Sequence, residues 1–273
     1  MPCMPGRIER GRQVRSGVEY AKFGQATWRW WCRRHNVEFA ALDQPLGGAP
    51  FAELPPTVQR WLAPEMLLRE YGQEARIAIV DADTMIRWDA PDFFEPAGDG
   101  FAAVRAMSEA WGQASIRAYQ HLFPETVLTM AEYFNAGFVA LGAGQLKTLR
   151  VFTDFALERW EELRAVQISG NFGSDQTPLN FVLRREREPV TWLSPRFNML
   201  HSARSVASVL SHKALVCEVT EEILERAFGV PGVFDFIGEG YVWHFTTSAQ
   251  FRYPIMQRTW ERVRRNYPGS EVE

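Results

Sequence analysis

A chain of 273 residues that is 46% hydrophobic and 23% charged has material for a sizeable core, which excludes a disordered or fibrous class. A net charge of −3 argues against the basic surface that a nucleic-acid binder needs. Three scattered cysteines, Cys3, Cys32 and Cys217, have neither zinc spacing nor the look of a disulfide framework and fit a reducing compartment. No apolar run reaches the ~20 residues that span a bilayer, and the basic N-terminus lacks a signal-peptide core. The expectation is a cytoplasmic protein, peripheral to a membrane at most.

Taken in order, residues 1–18 are rich in Gly, Arg and Pro and read as poorly packed or disordered. Residues 19–35 predict a helix whose stripe of Phe23, Trp30 and Trp31 suits a core. Residues 37–42 read as a short strand and 47–56 as a Pro/Gly loop. An amphipathic helix follows over 57–70, with Thr57 as N-cap, Gly72 near its end, and Pro64 marking a start or a kink. Beyond it runs Arg76-Ile77-Ala78-Ile79-Val80-Asp81-Ala82-Asp83-Thr84, an apolar run that ends on two acids and reads as a buried strand.

Residues 89–100 read as a loop, 101–120 as a helix, and 134–142 as a turn feeding a strand. A helix over 152–165 precedes a Gly/Asn/Ser loop at 169–174. Asp175 then opens a helix to about Arg185, where an acid suits the helix N-terminus. Strands are expected at 190–193 and 241–246, with a short helix at 220–228. The alternation predicts an α/β fold with a mostly parallel sheet and helices on both faces. Residues 19–262 are expected to form a single domain and 263–273 a tail.

The acids carry the chemistry. At the carboxyl end of a strand they stand where open α/β sheets place ligands. On a straight backbone they would point apart. A bend at Ala82 lets both reach one cation, and hard oxygen ligands suit Mg²⁺ or Mn²⁺. Alone, an Asp-x-Asp recurs by chance, and two acids opening a loop is the simpler reading.

Five further stretches follow a family's order. They are Arg60-Trp61-Leu62-Ala63-Pro64-Glu65, Asn135-Ala136-Gly137, Asp175-Gln176-Thr177-Pro178-Leu179-Asn180, Pro195-Arg196-Phe197-Asn198 and Trp243-His244-Phe245-Thr246. With the acid pair they resemble GT-A nucleotide-sugar glycosyltransferases, the family 8 branch above all, over roughly residues 57–250. The resemblance implies a Rossmann-like nucleotide-diphospho-sugar domain, a hexosyl transfer from UDP-hexose, and Mn²⁺ or Mg²⁺ as cofactor. It implies Asp81, Asp83 and His244 as metal ligands, with Arg60, Asp81, Asn135 and Gly137 on the donor. It also implies Asp175 and Gln176 beneath the anomeric carbon, and retention of configuration. The acceptor would be a glycan, lipid or protein, with no nucleic acid partner.

The residues also read more plainly. Asn135-Ala136-Gly137 suits a turn, Asp175 a helix cap, His244 a strand-end residue bonded to backbone, and Arg60 a solvated helix face. Two departures stand out. The family's late lysine is absent after His244, where Gln250 stands, and Arg252 is the nearest substitute. The family's first strand is missing or degenerate, since residues 10–17 are too polar for a central strand. Two rivals remain: a haloacid dehalogenase-like phosphatase using Asp81 and Asp83, and a non-catalytic nucleotide-sugar-binding relative.

Overall fold

The computed structural model describes residues 18–106, 109–170, 172–200, 240–246 and 249–272, with two short strands before them. Those strands, β1 (Ile8–Glu9) and β2 (Arg12–Gln13), pair antiparallel. Helix α1 (Ala21–Arg34) comes next, then α2 (Pro56–Gln59) and α3 (Ala63–Tyr71). Strands β3 (Ile77–Val80) and β4 (Thr84–Ile86) precede the single turn α4 (Phe94–Ala97), β5 (Phe101–Arg105) and α5 (Glu109–Tyr119). Strand β6 (Phe134–Leu141) leads to α6 (Leu146–Glu158), α7 (Trp160–Gly170) and α8 (Gln176–Arg185). The remaining elements are β7 (Val190–Trp192), β8 (Met199–Leu200), β9 (Val242–His244) and α9 (Ala249–Val263).

The chain divides into two compact units, one built from residues 42–80 and 93–194, the other from described residues of 3–41, 81–92 and 195–273. The first unit holds a four-stranded sheet in the order β3-β6-β5-β7. β6 is antiparallel to both β3 and β5, while β7 is parallel to β5. The α/β class is as expected, and the sheet is mixed. Alternate side chains of β6 serve opposite faces. Val139 and Leu141 join Ile77, Ile79, Phe152 of α6 and Leu179 of α8 in the main core. On the other face Phe138 meets Phe93 edge-on, with ring centroids 5.0 Å apart, just ahead of α4.

The β5·β6 ladder breaks between Ala103 and Val104. Ala103 pairs with Val139, but the next residue, Val104, pairs with Asn135. Residues 136–138 therefore bulge out of the ladder, and a bulge re-aims the side chains beside it. In the Asn135-Ala136-Gly137 stretch, Asn135 closes the ladder and Ala136 and Gly137 lie in the bulge, within a strand rather than in a turn ahead of one.

The second unit holds a three-stranded sheet in which β9 lies between β4, antiparallel, and β8, parallel. Helix α1 lies against β4. Trp28 Nε1 donates to Thr84 Oγ1 at 3.0 Å, and Ile86 N donates to Thr27 Oγ1 at 3.1 Å. Gly24 makes that approach possible, since a Cβ there would stand 2.4 Å from the Thr84 carbonyl oxygen. The aromatic stripe of α1 is core, as expected: Phe23 packs with Met85, Trp243, Met256, Trp260 and Tyr267.

Several expectations are corrected. Residues 37–42 form no strand, and Leu42 is exposed. The 57–70 helix is interrupted by a 3-10 turn at Arg60–Leu62 and resumes with Pro64 in its first turn, as the proline foretold. Thr57 is no cap. It lies inside α2, and its hydroxyl meets the Ser174 hydroxyl at 2.8 Å. Residues 101–105 are strand, not helix, because Phe101 to Val104 are buried together as a central strand, a pattern that periodicity does not separate from a buried helix. The helix expected at 220–228 lies outside the described residues, as does most of 1–18.

Candidate metal centre

The Asp81-Ala82-Asp83 segment turns sharply. Thr84 N donates to the Asp81 carbonyl at 3.0 Å, and the Thr84 hydroxyl donates to the same oxygen at 2.6 Å. This is the bend at Ala82 that lets both acids converge. Beyond it, Thr84 pairs with His244 across the β4·β9 ladder, and Phe245 N donates to the Asp83 carbonyl at 2.9 Å. The strand register thus brings a histidine to the acids from far along the chain.

His244 Nε2 stands 3.4 Å from Asp81 Oδ2 and 3.3 Å from Asp83 Oδ1. One ligand atom from each of Asp81, Asp83 and His244 lies within 4.8 Å of the others. His244 is buried. Burial alone would push its pKa down, but the Asp83 and Asp81 carboxylates outweigh it and raise the value to about 9. On its far side, Nδ1 lies 2.9 Å from Asn198 Oδ1. An amide oxygen only accepts, so Nδ1 donates, and Nε2 is the nitrogen presented to the acids.

Two carboxylates and an oriented imidazole could hold a divalent metal ion. The donor set fits: hard oxygens, one nitrogen, and a partner behind the ring of the sort that metal-binding histidines have. Arg252 Nε also lies 3.1 Å from Asp83 Oδ2.

Arg60, Asn135, Gly137, Asp175 and Gln176 all belong to the first unit, whereas Asp81, Asp83 and His244 belong to the second. Asp175 sits at the N-cap position of α8 yet makes no side-chain cap. Its Oδ2 instead accepts from Arg60 Nη2 at 2.6 Å, Arg60 Nε at 3.2 Å and Trp61 Nε1 at 3.0 Å. Arg60 is therefore no solvated helix residue, with a side chain only 12% exposed.

Gln176 ties α8 to the β6 bulge. Its Oε1 accepts from Asn135 Nδ2 at 2.9 Å and Ala136 N at 3.2 Å. Its Nε2 donates to the Tyr133 hydroxyl at 3.0 Å. Asn135 Oδ1 in turn accepts from Gly137 N at 2.9 Å. Tyr133, Thr177 and Ser115 continue the network through hydroxyl contacts of 2.5 and 2.6 Å. Burial raises the Tyr133 pKa, which keeps its hydroxyl a donor. Asn180 bonds both the N–H and the carbonyl of Phe134. Sequence reasoning missed Tyr133 and Ser115, which carry no motif. Thr177 and Asn180 were inside a quoted stretch without a role.

No protein-family model and no curated protein matches the sequence. Among solved structures, the chain is similar to a glycosyltransferase involved in the glycosylation of the major capsid of PBCV-1. That likeness has a TM-score of 0.47 and 12% identity, over 88% of this chain and 93% of the other. It is also similar to the bifunctional glycosyltransferase WbbM, with a TM-score of 0.47 and 15% identity, over 91% of this chain but 50% of that one. A third is the galactosyltransferase LgtC, solved with donor and acceptor sugar analogs, at a TM-score of 0.39 and 14% identity over 90% and 97% of the two chains.

Proposed function

We propose that this chain is a metal-dependent glycosyltransferase that moves a hexose from a nucleotide diphosphate, UDP foremost, to a hydroxyl of a glycan, lipid or protein. The observation that carries the reading is the convergence of Asp81, Asp83 and His244, ligand atoms within 4.8 Å, with His244 oriented by Asn198. Mn²⁺ is the proposed ion, with Mg²⁺ second. When bound, it supplies positive charge to the departing diphosphate.

This chain's own residues do the rest. Asp81 and Asp83 bring the negative charge that retains the ion. His244 presents Nε2 because Asn198 holds its other nitrogen. Asn135 and Gly137 bind the donor sugar from the bulge, where the backbone is already shaped by Gln176. Asp175 and Gln176 are assigned to the sugar's developing positive charge, which their side-chain oxygens stabilise, and Arg60 to contact with the donor. We propose retention of the anomeric configuration. Among the described residues no helix is long and apolar enough to cross a membrane. A cytoplasmic site of action is part of the proposal.

The test is calorimetric titration with UDP, with and without Mn²⁺, on the wild type and Asp83→Ala, followed by donor hydrolysis. Metal-dependent UDP binding that Asp83→Ala abolishes supports the proposal. UDP affinity that ignores Mn²⁺ counts against it. Turnover of a generic phosphoester lost on Asp81→Asn would favour a phosphatase, and binding without hydrolysis or transfer would favour a non-catalytic relative.

A further inference from the structure

We propose that Arg252, held by Tyr20, closes one oxygen of Asp83 to the cation and thereby makes this centre select a small six-coordinate ion over Ca²⁺. The inference rests on the metal-site reading above and adds to it the residue that sets the ion's identity.

The two oxygens of Asp83 face different partners. Oδ1 lies 3.3 Å from His244 Nε2, on the side shared with Asp81. Oδ2 lies 3.1 Å from Arg252 Nε. Arg252 is itself pinned: its Nη1 donates to the Tyr20 hydroxyl at 3.0 Å, and its guanidinium sits over the Tyr20 ring, 4.9 Å from the centroid. Tyr20 is buried in the core beside Phe23 and Tyr267. The main chain of Asp83 is anchored by Phe245 N. The carboxylate is thus gripped at its backbone and at one oxygen, leaving the other for an ion.

That division has consequences for coordination. Ca²⁺ takes six to eight oxygens and commonly draws both from one carboxylate, whereas Mg²⁺ and Mn²⁺ accept one oxygen per carboxylate in an octahedral set. A carboxylate with Oδ2 committed to a guanidinium suits the second group. Arg252 also adds a positive charge close to the site, which lowers the affinity for every cation. Removing the guanidinium therefore raises affinity for both ions, and for Ca²⁺ by more.

The experiment is calorimetric titration of the full chain with MnCl₂ or CaCl₂ alone, comparing wild type, Arg252→Met, Tyr20→Phe and Asp83→Ala. The wild type prefers Mn²⁺. Arg252→Met is expected to raise Mn²⁺ affinity roughly tenfold and Ca²⁺ affinity about a hundredfold. Tyr20→Phe keeps the ring and loosens the guanidinium, so it narrows the preference in the same direction by less, and it carries the test if Arg252→Met melts early. Asp83-dependent Mn²⁺ binding with the Mn²⁺/Ca²⁺ ratio unchanged in the folded variants would overturn the role of Arg252 and leave the metal site standing. Absence of Asp83-dependent Mn²⁺ binding in the wild type would overturn both.

Discussion

Asn198 Oδ1 accepts a hydrogen bond from His244 Nδ1 at 2.9 Å, and both side chains are buried. The pairing decides which face of the imidazole meets Asp81 and Asp83. Replacing Asn198 by Ala leaves the ring free to turn and its Nδ1–H unpaired. Mn²⁺ affinity is expected to fall by about 10- to 100-fold, the usual cost of losing such a partner. Titration calorimetry reads it directly, and an affinity within a factor of about two of wild type would refute the orienting role.

The imidazole pKa near 9 makes the metal site pH-dependent. Without metal, His244 is protonated between its carboxylates, and a cation needs the neutral ring. Mn²⁺ affinity should therefore rise about tenfold per pH unit up to about pH 9 and level off beyond it. Near neutral pH one proton should leave per ion bound, seen as a binding heat that tracks the buffer's ionisation enthalpy. An affinity that does not change across that range would contradict the assignment.

The same shift sets a stability trend of known sign. The folded-state pKa lies above the ordinary imidazole value of 6.5, so the protonated ring stabilises the metal-free fold. That contribution is fully present below 6.5 and lost as pH rises through about 9. Melting in chelator should show the loss for wild type but not for His244→Gln. In saturating Mn²⁺ the loss between 6.5 and about 9 should disappear, because the ion binds the neutral ring and the unfolded ring is also neutral there.

Gly24 is where α1 meets the acid loop. Alanine there would put a Cβ 2.4 Å from the Thr84 carbonyl oxygen and 3.2 Å from that of Ala82. Both atoms are backbone, so the helix or the loop must move. The expected cost is about 2 kcal/mol of stability, typical of overpacking, and weaker Mn²⁺ binding as the acids shift. An unchanged melting temperature would show that the helix gives way freely.

Arg60 and Asp175 form a largely buried ion pair, with side chains 12% and 7% exposed. Arg60→Ala strands a carboxylate beside Trp61 and should cost roughly 3 kcal/mol. Asp175→Asn added to it should recover part of that, because the unpaired charge disappears. Chemical denaturation of the two single variants and the double variant closes the cycle, and strictly additive losses would argue that the pair is not coupled.

What the amino-acid sequence determined by itself was local. The apolar run from Ile77 to Val80 ended on two acids, Ala82 allowed the bend, and Asp175 opened α8, because strand patterning and turn chemistry act over a few residues. His244 and the five ordered stretches were legible only through resemblance to a family. Tertiary structure alone decided the rest. Register across β4·β9 brought His244 to the acids and gave Asn198, 46 residues earlier, its purpose. The bulge in β6 turned a presumed loop motif into a backbone shaped by Gln176, and Arg252 found Tyr20 across 232 residues of chain. The 101–105 segment was misread as helix because burial on both faces of a sheet erases the alternation that marks a strand. Pairing partners, not local preference, set these features, and a pairing partner is written nowhere in the residues that await it.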